Sequence, residues 1–145
     1  MAGEPAVVVT LDGQLHDPSA PLLHADDLAA VRGDGVFETL LIRDGRPCLL
    51  ESHLARLTSS ARMTDLPEPD LARWRAAVAV AVDAWDGGEA ALRLVYTRGR
   101  ESGSAPTAYA TIAPLPARVA EVRARGLSAL TLARGLPAEG TAEMP

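Results

Sequence analysis

The chain has 145 residues, of which 48% are apolar and 23% charged, the composition of a globular domain with a core of ordinary size. Its net charge of -5 argues against a nucleic-acid-binding face, which would show a clustered basic excess. No run approaches the roughly 18 unbroken apolar residues of a membrane span.

In chain order, alternating or apolar runs bounded by turn residues predict strands at 6–11, 35–43, 46–50, 90–98, 107–113 and 127–133. Between the first two lies "LLHADDLAAVRGDG", where Asp26 and Asp27 are placed to cap a turn or short helix. Asp44-Gly45 separates two of the strands and signals a hairpin, because both residue types tolerate positive φ. A helix is expected from Ser52 as N-cap, with Leu54, Leu57 and Ala61 at helical spacing and Pro67 closing it. A second helix starts near Asp70. Leu71, Trp74, Val78, Val82 and Trp85 form its apolar stripe, and Gly87-Gly88 ends it. Residues 98–106 read as a Gly/Ser-rich loop, and the tail after residue 133 has no periodicity. Strands first, helices next and strands again predict an α+β fold: a largely antiparallel sheet of about six strands with two helices on one face.

Composition narrows the chemistry further. No lysine occurs, and all 14 basic residues are arginine, so no step that needs a lysine amine can be supplied by these residues. Cys48 stands alone, which excludes an internal disulfide and points, with an N-terminus unlike a signal peptide, to the cytoplasm. His16, His24 and His53 have no ligand-like spacing, so no metal site is expected, and His53 at a helix start reads as a surface or capping residue. "GDGVFE" has two glycines but leads into a strand and lacks the phosphate-loop lysine, which removes the nucleotide-loop reading. Arg56 in the first long helix and Arg93 within "AALRLVYT" sit among apolar neighbours. Two readings stay open for them: pairing with acids, or meeting an anion for which a guanidinium fork is suited.

Taken together, "GDGVFETLLIRDGRPCLLESHLARLTSSARM" resembles the N-terminal domain of the class IV (fold-type IV) pyridoxal-phosphate enzymes. That family includes aminodeoxychorismate lyases, D-amino-acid aminotransferases and branched-chain aminotransferases. The likeness is carried by Gly33 to Thr39, the hairpin at Arg43-Asp44-Gly45, the helix start His53-Leu54-Ala55-Arg56-Leu57, and the strand from Leu92 to Gly99. The resemblance implies pyridoxal 5'-phosphate as cofactor, with Arg56 contacting its phosphate. It implies Phe37 and Thr39 on the substrate side, and Arg93 or Arg98 on the substrate carboxylate. Arg32 departs from the aromatic residue that branched-chain aminotransferases carry there, and suits a substrate with more than one carboxylate if it faces the site.

The family's Schiff-base lysine belongs to a second domain, so the resemblance implies that this lysine lies beyond Pro145 and that no catalytic residue stands within the chain itself. The chain is therefore expected to be an N-terminal portion, with residues 1–133 as the α+β domain and 134–145 as an interdomain linker, inactive by itself. The resemblance favours a 4-amino-4-deoxychorismate lyase, which releases pyruvate and 4-aminobenzoate for folate synthesis. The alternatives are an aminotransferase for D-amino or branched-chain amino acids, or a non-catalytic truncated relative. The expected partners are a small-molecule substrate and a second copy in a homodimer, with neither nucleic acid nor membrane.

Overall fold

A computed structural model describes residues 5–131. The linker expected over 134–145, up to Pro145, lies outside the described residues. Six strands form one antiparallel sheet: β1 (Val7–Thr10), β2 (Leu15–His16), β3 (Gly35–Arg43), β4 (Arg46–Pro47), β5 (Ala90–Thr97) and β6 (Thr107–Pro114). Their spatial order is β2-β1-β6-β5-β3-β4. Four helices accompany them: α1 (Leu28–Arg32), α2 (Leu50–Met63), α3 (Leu71–Asp83) and α4 (Ala117–Arg125).

The pleat sorts each strand into two faces. Val7 and Val9, Leu40 and Ile42, Leu92 and Leu94, and Ala110 and Ile112 point to one side and are buried against α2 and α3. Leu54, Leu57 and Ala61 of α2 and Trp74, Ala77, Val78 and Ala81 of α3 complete this core. Each large side chain so enclosed stabilises the fold by about 2 kcal/mol. The expected sheet with two long helices on one face is what forms.

Local chemistry explains the boundaries. Asp44 and Gly45 both adopt positive φ, 51° and 66°, the two-residue turn that suits strand twist. Asp70 caps α3 by accepting from the backbone N–H of Ala72 and Arg73 at 3.0 and 3.1 Å. Asp27 caps α1 in the same way, through Ala29 at 2.9 Å. Ser52, expected as the cap of α2, lies inside the first turn. The helix begins at Leu50 after Leu49, which takes a left-handed conformation at φ 54° and offers no side-chain cap. That early start shortens the strand expected at 46–50 to Arg46–Pro47. Proline has no N–H to extend the ladder.

Two elements differ in kind. The strand expected at 127–133 is absent over 127–131, which is irregular, and its last two positions lie outside the described residues. The sixth strand is instead β2, folded back on β1 with Val8 opposite His16 and Val9 opposite Leu15. Ahead of the irregular stretch stands α4, begun by Pro116 and ended by Gly126 at φ 74°. That proline-first, glycine-last pattern is the sequence signal for it.

Candidate functional site

The strand β3 carries chemistry on both faces. Phe37 and Thr39 project to the side away from the long helices, where Phe37 is 64% exposed. The register puts Arg93 of β5 opposite Thr39 and Val95 opposite Phe37. The Arg93 guanidinium carbon lies 5.4 Å from the Phe37 ring centroid, a cation–π contact. No acid pairs with Arg93 among the described residues. Beside this pair is a recess of about 370 Å³ whose lining includes Gly35, Phe37, Arg93, Val95, Thr97 and Tyr109. Burial pushes the Tyr109 hydroxyl pKa up, aided by the nearby Asp27 carboxylate. The recess thus offers an aromatic wall, a cation with no acid partner among the described residues, and a phenol.

The helix-facing side of β3 is apolar at Leu40 and Ile42 but carries a carboxylate at Glu38, which is 4% exposed. The Nδ1–H of His53 donates to Glu38 Oε2 at 2.7 Å, and Arg56 Nε lies 3.3 Å from Oε1. His53 and Arg56 are three positions apart on α2, so both reach β3 from one side of the helix. The Arg56 side chain is 71% exposed, and its two terminal nitrogens make no hydrogen bond among the described residues.

A third group surrounds Asp34. Its Oδ2 accepts from Arg32 Nη2 and from Arg98 Nε, each at 2.9 Å. Arg98 also donates from Nη1 to the Asp65 carbonyl at 3.1 Å and from Nη2 to the Thr64 carbonyl at 2.7 Å. All three nitrogens of Arg98 are therefore engaged: Nη1 and Nη2 tie the end of β5 to the end of α2, and Nε ties it to Asp34 ahead of β3. The Arg98 and Arg32 guanidiniums hold the Asp34 carboxyl below its ordinary range. A second recess of about 790 Å³ opens here, lined in part by Leu28, Arg32, Arg62, Asp65, Arg98 and Arg100. Of the six residues singled out in the sequence, Phe37, Thr39 and Arg93 share one face. Arg32 and Arg98 meet at Asp34, and Arg56 stands with Glu38 and His53.

Sequence reasoning gives no role to Glu38, reads His53 as a surface or capping residue, and passes over Tyr109. Alternation along β3 and β6 could assign Glu38 and Tyr109 their faces. Their partners come from other elements and carry no local signal. The same holds for Asp27, which is fully buried. Beyond capping α1, it accepts from the hydroxyls of Thr97 at 3.2 Å and Thr107 at 2.6 Å. Those bonds fasten α1, and with it Arg32, to the sheet.

An antiparallel curled sheet backed by two helices, with an arginine helix beside a Phe-Glu strand, defines an architecture that comparison with known families identifies. Residues 35–138 match the amino-transferase class IV family, and the chain belongs to it. It is 66% identical over 142 residues to a bifunctional aminodeoxychorismate lyase / D-amino acid transaminase of Mycobacterium tuberculosis, covering 96% of this chain and 49% of the relative. The chain thus spans about half the length of that curated relative. Among solved structures, a hypothetical aminotransferase from Mycobacterium tuberculosis in its PLP-bound form superposes with a TM-score of 0.86 at 67% identity. The match covers 92% of this chain and 48% of that one. The 4-amino-4-deoxychorismate lyase from Pseudomonas aeruginosa matches at 32% identity and a TM-score of 0.59, over 76% of this chain and 40% of that one.

Proposed function

We propose that this chain is the N-terminal part of a pyridoxal-phosphate enzyme that cleaves 4-amino-4-deoxychorismate to pyruvate and 4-aminobenzoate, and that also transaminates D-amino acids. The observation that carries it is Arg56: an exposed guanidinium whose stem nitrogen lies 3.3 Å from the buried Glu38 carboxylate, with its terminal donors free among the described residues. That donor set fits a phosphate dianion, which takes bidentate N–H donors from a permanently charged fork. Pairing the two activities rests on the bifunctional name of the 66%-identical relative. The lyase half also draws on the similarity to the Pseudomonas aeruginosa enzyme.

In this reading the bound cofactor supplies the electron sink for cleavage at the substrate's α-carbon. The residues of this chain bind and orient. Arg56 holds the phosphate. The Phe37 ring forms an apolar wall and keeps Arg93 in place by the cation–π contact, so that Arg93 offers its donors to a substrate carboxylate. Thr39, opposite Arg93 in register, adds a hydroxyl on the same face. Arg32 is 61% exposed and spends one nitrogen on Asp34, leaving donors for a second carboxylate, as an aminodeoxychorismate would present. Arg98 belongs in this scheme as a positioning residue, since its nitrogens are already committed. This departs from the expectation that Arg98 itself could take the substrate carboxylate. The Schiff-base lysine is assigned to a second domain beyond Pro145, following the 134–145 linker, because the chain's own basic residues are all arginine. The assembly is assigned to a cytoplasmic homodimer making 4-aminobenzoate for folate synthesis.

The test uses the purified full-length protein with added cofactor. Pyruvate and 4-aminobenzoate released in equal amounts without a keto-acid acceptor support the lyase, and their absence sinks it. Transfer from D-alanine to 2-oxoglutarate supports the second activity. Failure of both, with no change in the absorption spectrum of pyridoxal phosphate on mixing with the protein, would identify a non-catalytic relative.

A further inference from the structure

Glu38 breaks the pattern of its own strand. Every other buried side chain that β3 turns toward the helices is apolar, and Glu38 faces Leu94 of β5 in register. A carboxylate with a side-chain exposure of 3% costs stability unless its partners compensate, and an apolar residue of like volume would fit this core with no such cost. Its partners among the described residues are two, both on α2: the His53 Nδ1–H at 2.7 Å and Arg56 Nε at 3.3 Å.

From this we infer that Glu38 is a positioning residue for cofactor binding: it holds the Arg56 guanidinium by its stem nitrogen so that the two terminal nitrogens are presented together to a phosphate. The inference rests on the proposed phosphate role of Arg56. An arginine fixed to nothing loses rotamer freedom when it grips a ligand, and a brace already in place reduces that loss. His53 completes the brace. It donates to the other carboxylate oxygen, Oε2, while Oε1 faces Arg56. The side-by-side Phe37 and Glu38 then have one logic. Alternation sends the ring to the substrate face and the carboxylate to the cofactor anchor, so a single strand sets both.

The experiment measures dissociation constants of the cofactor-free full-length protein for pyridoxal phosphate and for pyridoxal, which lacks the phosphate. The proteins compared are wild type, Glu38→Gln, Glu38→Leu, Arg56→Ala and the Glu38→Gln/Arg56→Ala double variant. Glu38→Gln should weaken pyridoxal phosphate by about tenfold, the scale of an outer partner that orients a binding group, and leave pyridoxal unchanged. It should add nothing once Arg56 is alanine. Glu38→Leu should do the same to both affinities. Because it also leaves the His53 N–H without its acceptor, the selective loss of pyridoxal phosphate over pyridoxal, not the melting temperature, separates the brace from a contribution to folding. Equal weakening of both ligands, or full additivity with Arg56→Ala, would make Glu38 a structural tie and overturn the inference. An unchanged affinity in Glu38→Gln beside a weakened Arg56→Ala overturns this inference alone. An unchanged affinity in Arg56→Ala overturns the phosphate role and this inference with it.

Discussion

Asp27→Ala tests whether the segment that carries Arg32 is held where the structure shows it. Asp27 is fully buried and accepts three hydrogen bonds: the Ala29 N–H at 2.9 Å and the Thr97 and Thr107 hydroxyls at 3.2 and 2.6 Å. Alanine removes the cap of α1, a loss of about 1 kcal/mol. It also leaves two hydroxyls without their acceptor, at about 1.5 kcal/mol each. Relief from burying a carboxylate that has no basic partner among the described residues offsets part of this, so the expected loss is about 3 kcal/mol. Asp27→Asn keeps an acceptor for the Ala29 N–H and one hydroxyl, and should cost about 1 kcal/mol. Urea unfolding of the full-length protein, followed by the fluorescence of buried Trp74, reads the difference as a shift in midpoint. An alanine variant within about 1 kcal/mol of wild type, or one no worse than the asparagine variant, would refute the reasoning.

At Gly99 a Cβ would lie 2.0 Å from the Ala105 carbonyl oxygen, on a backbone at φ 85°. Gly99→Ala should therefore cost about 2–3 kcal/mol in the same unfolding assay, and a loss under about 1 kcal/mol would contradict the loop geometry. Asp34 has its folded pKa depressed, first by the hydrogen bond from Arg98, so its stabilisation is full above the ordinary carboxyl value of 3.8 and is lost as pH falls below it. The melting temperature should drop on acidification below that point, and Asp34→Asn should flatten the drop; an unaltered acid limb would contradict the pairing. Arg93→Ala should raise the Michaelis constant about tenfold or more, the worth of a charged hydrogen bond to a carboxylate. Arg98→Ala should instead act mainly on melting temperature, because its donors serve backbone carbonyls and Asp34.

Local rules make much of this molecule readable. The Asp44-Gly45 turn, the helix start near Asp70 and the Trp74–Val78 stripe follow from one residue's neighbours in sequence, and each stands as expected. Alternation is enough to put Phe37, Thr39 and Arg93 on one face of their strands. What escapes depends on packing. Arg98 meets carbonyls 33 and 34 positions away, a pairing set by how α2 ends against β5. The open choice at Arg56 and Arg93 resolves differently at each. Arg56 finds an acid and keeps donors that are free among the described residues, while Arg93 finds an aromatic ring. At 127–133 apolar alternation suggests a strand, but among residues 127–131 there is no neighbouring strand for it to pair with. At residues 15–16 two residues suffice, because the chain has already turned back beside β1.

If Arg56 seats the cofactor phosphate, full-length Arg56→Ala must lose affinity for pyridoxal phosphate. Two charge-assisted hydrogen bonds at about 1.5–3 kcal/mol each predict a loss of roughly 100-fold or more. The melting temperature of the cofactor-free protein should hardly move, since the side chain is 71% exposed and its Glu38 partner keeps His53. An Arg56→Ala protein that binds pyridoxal phosphate as tightly as wild type would contradict the account.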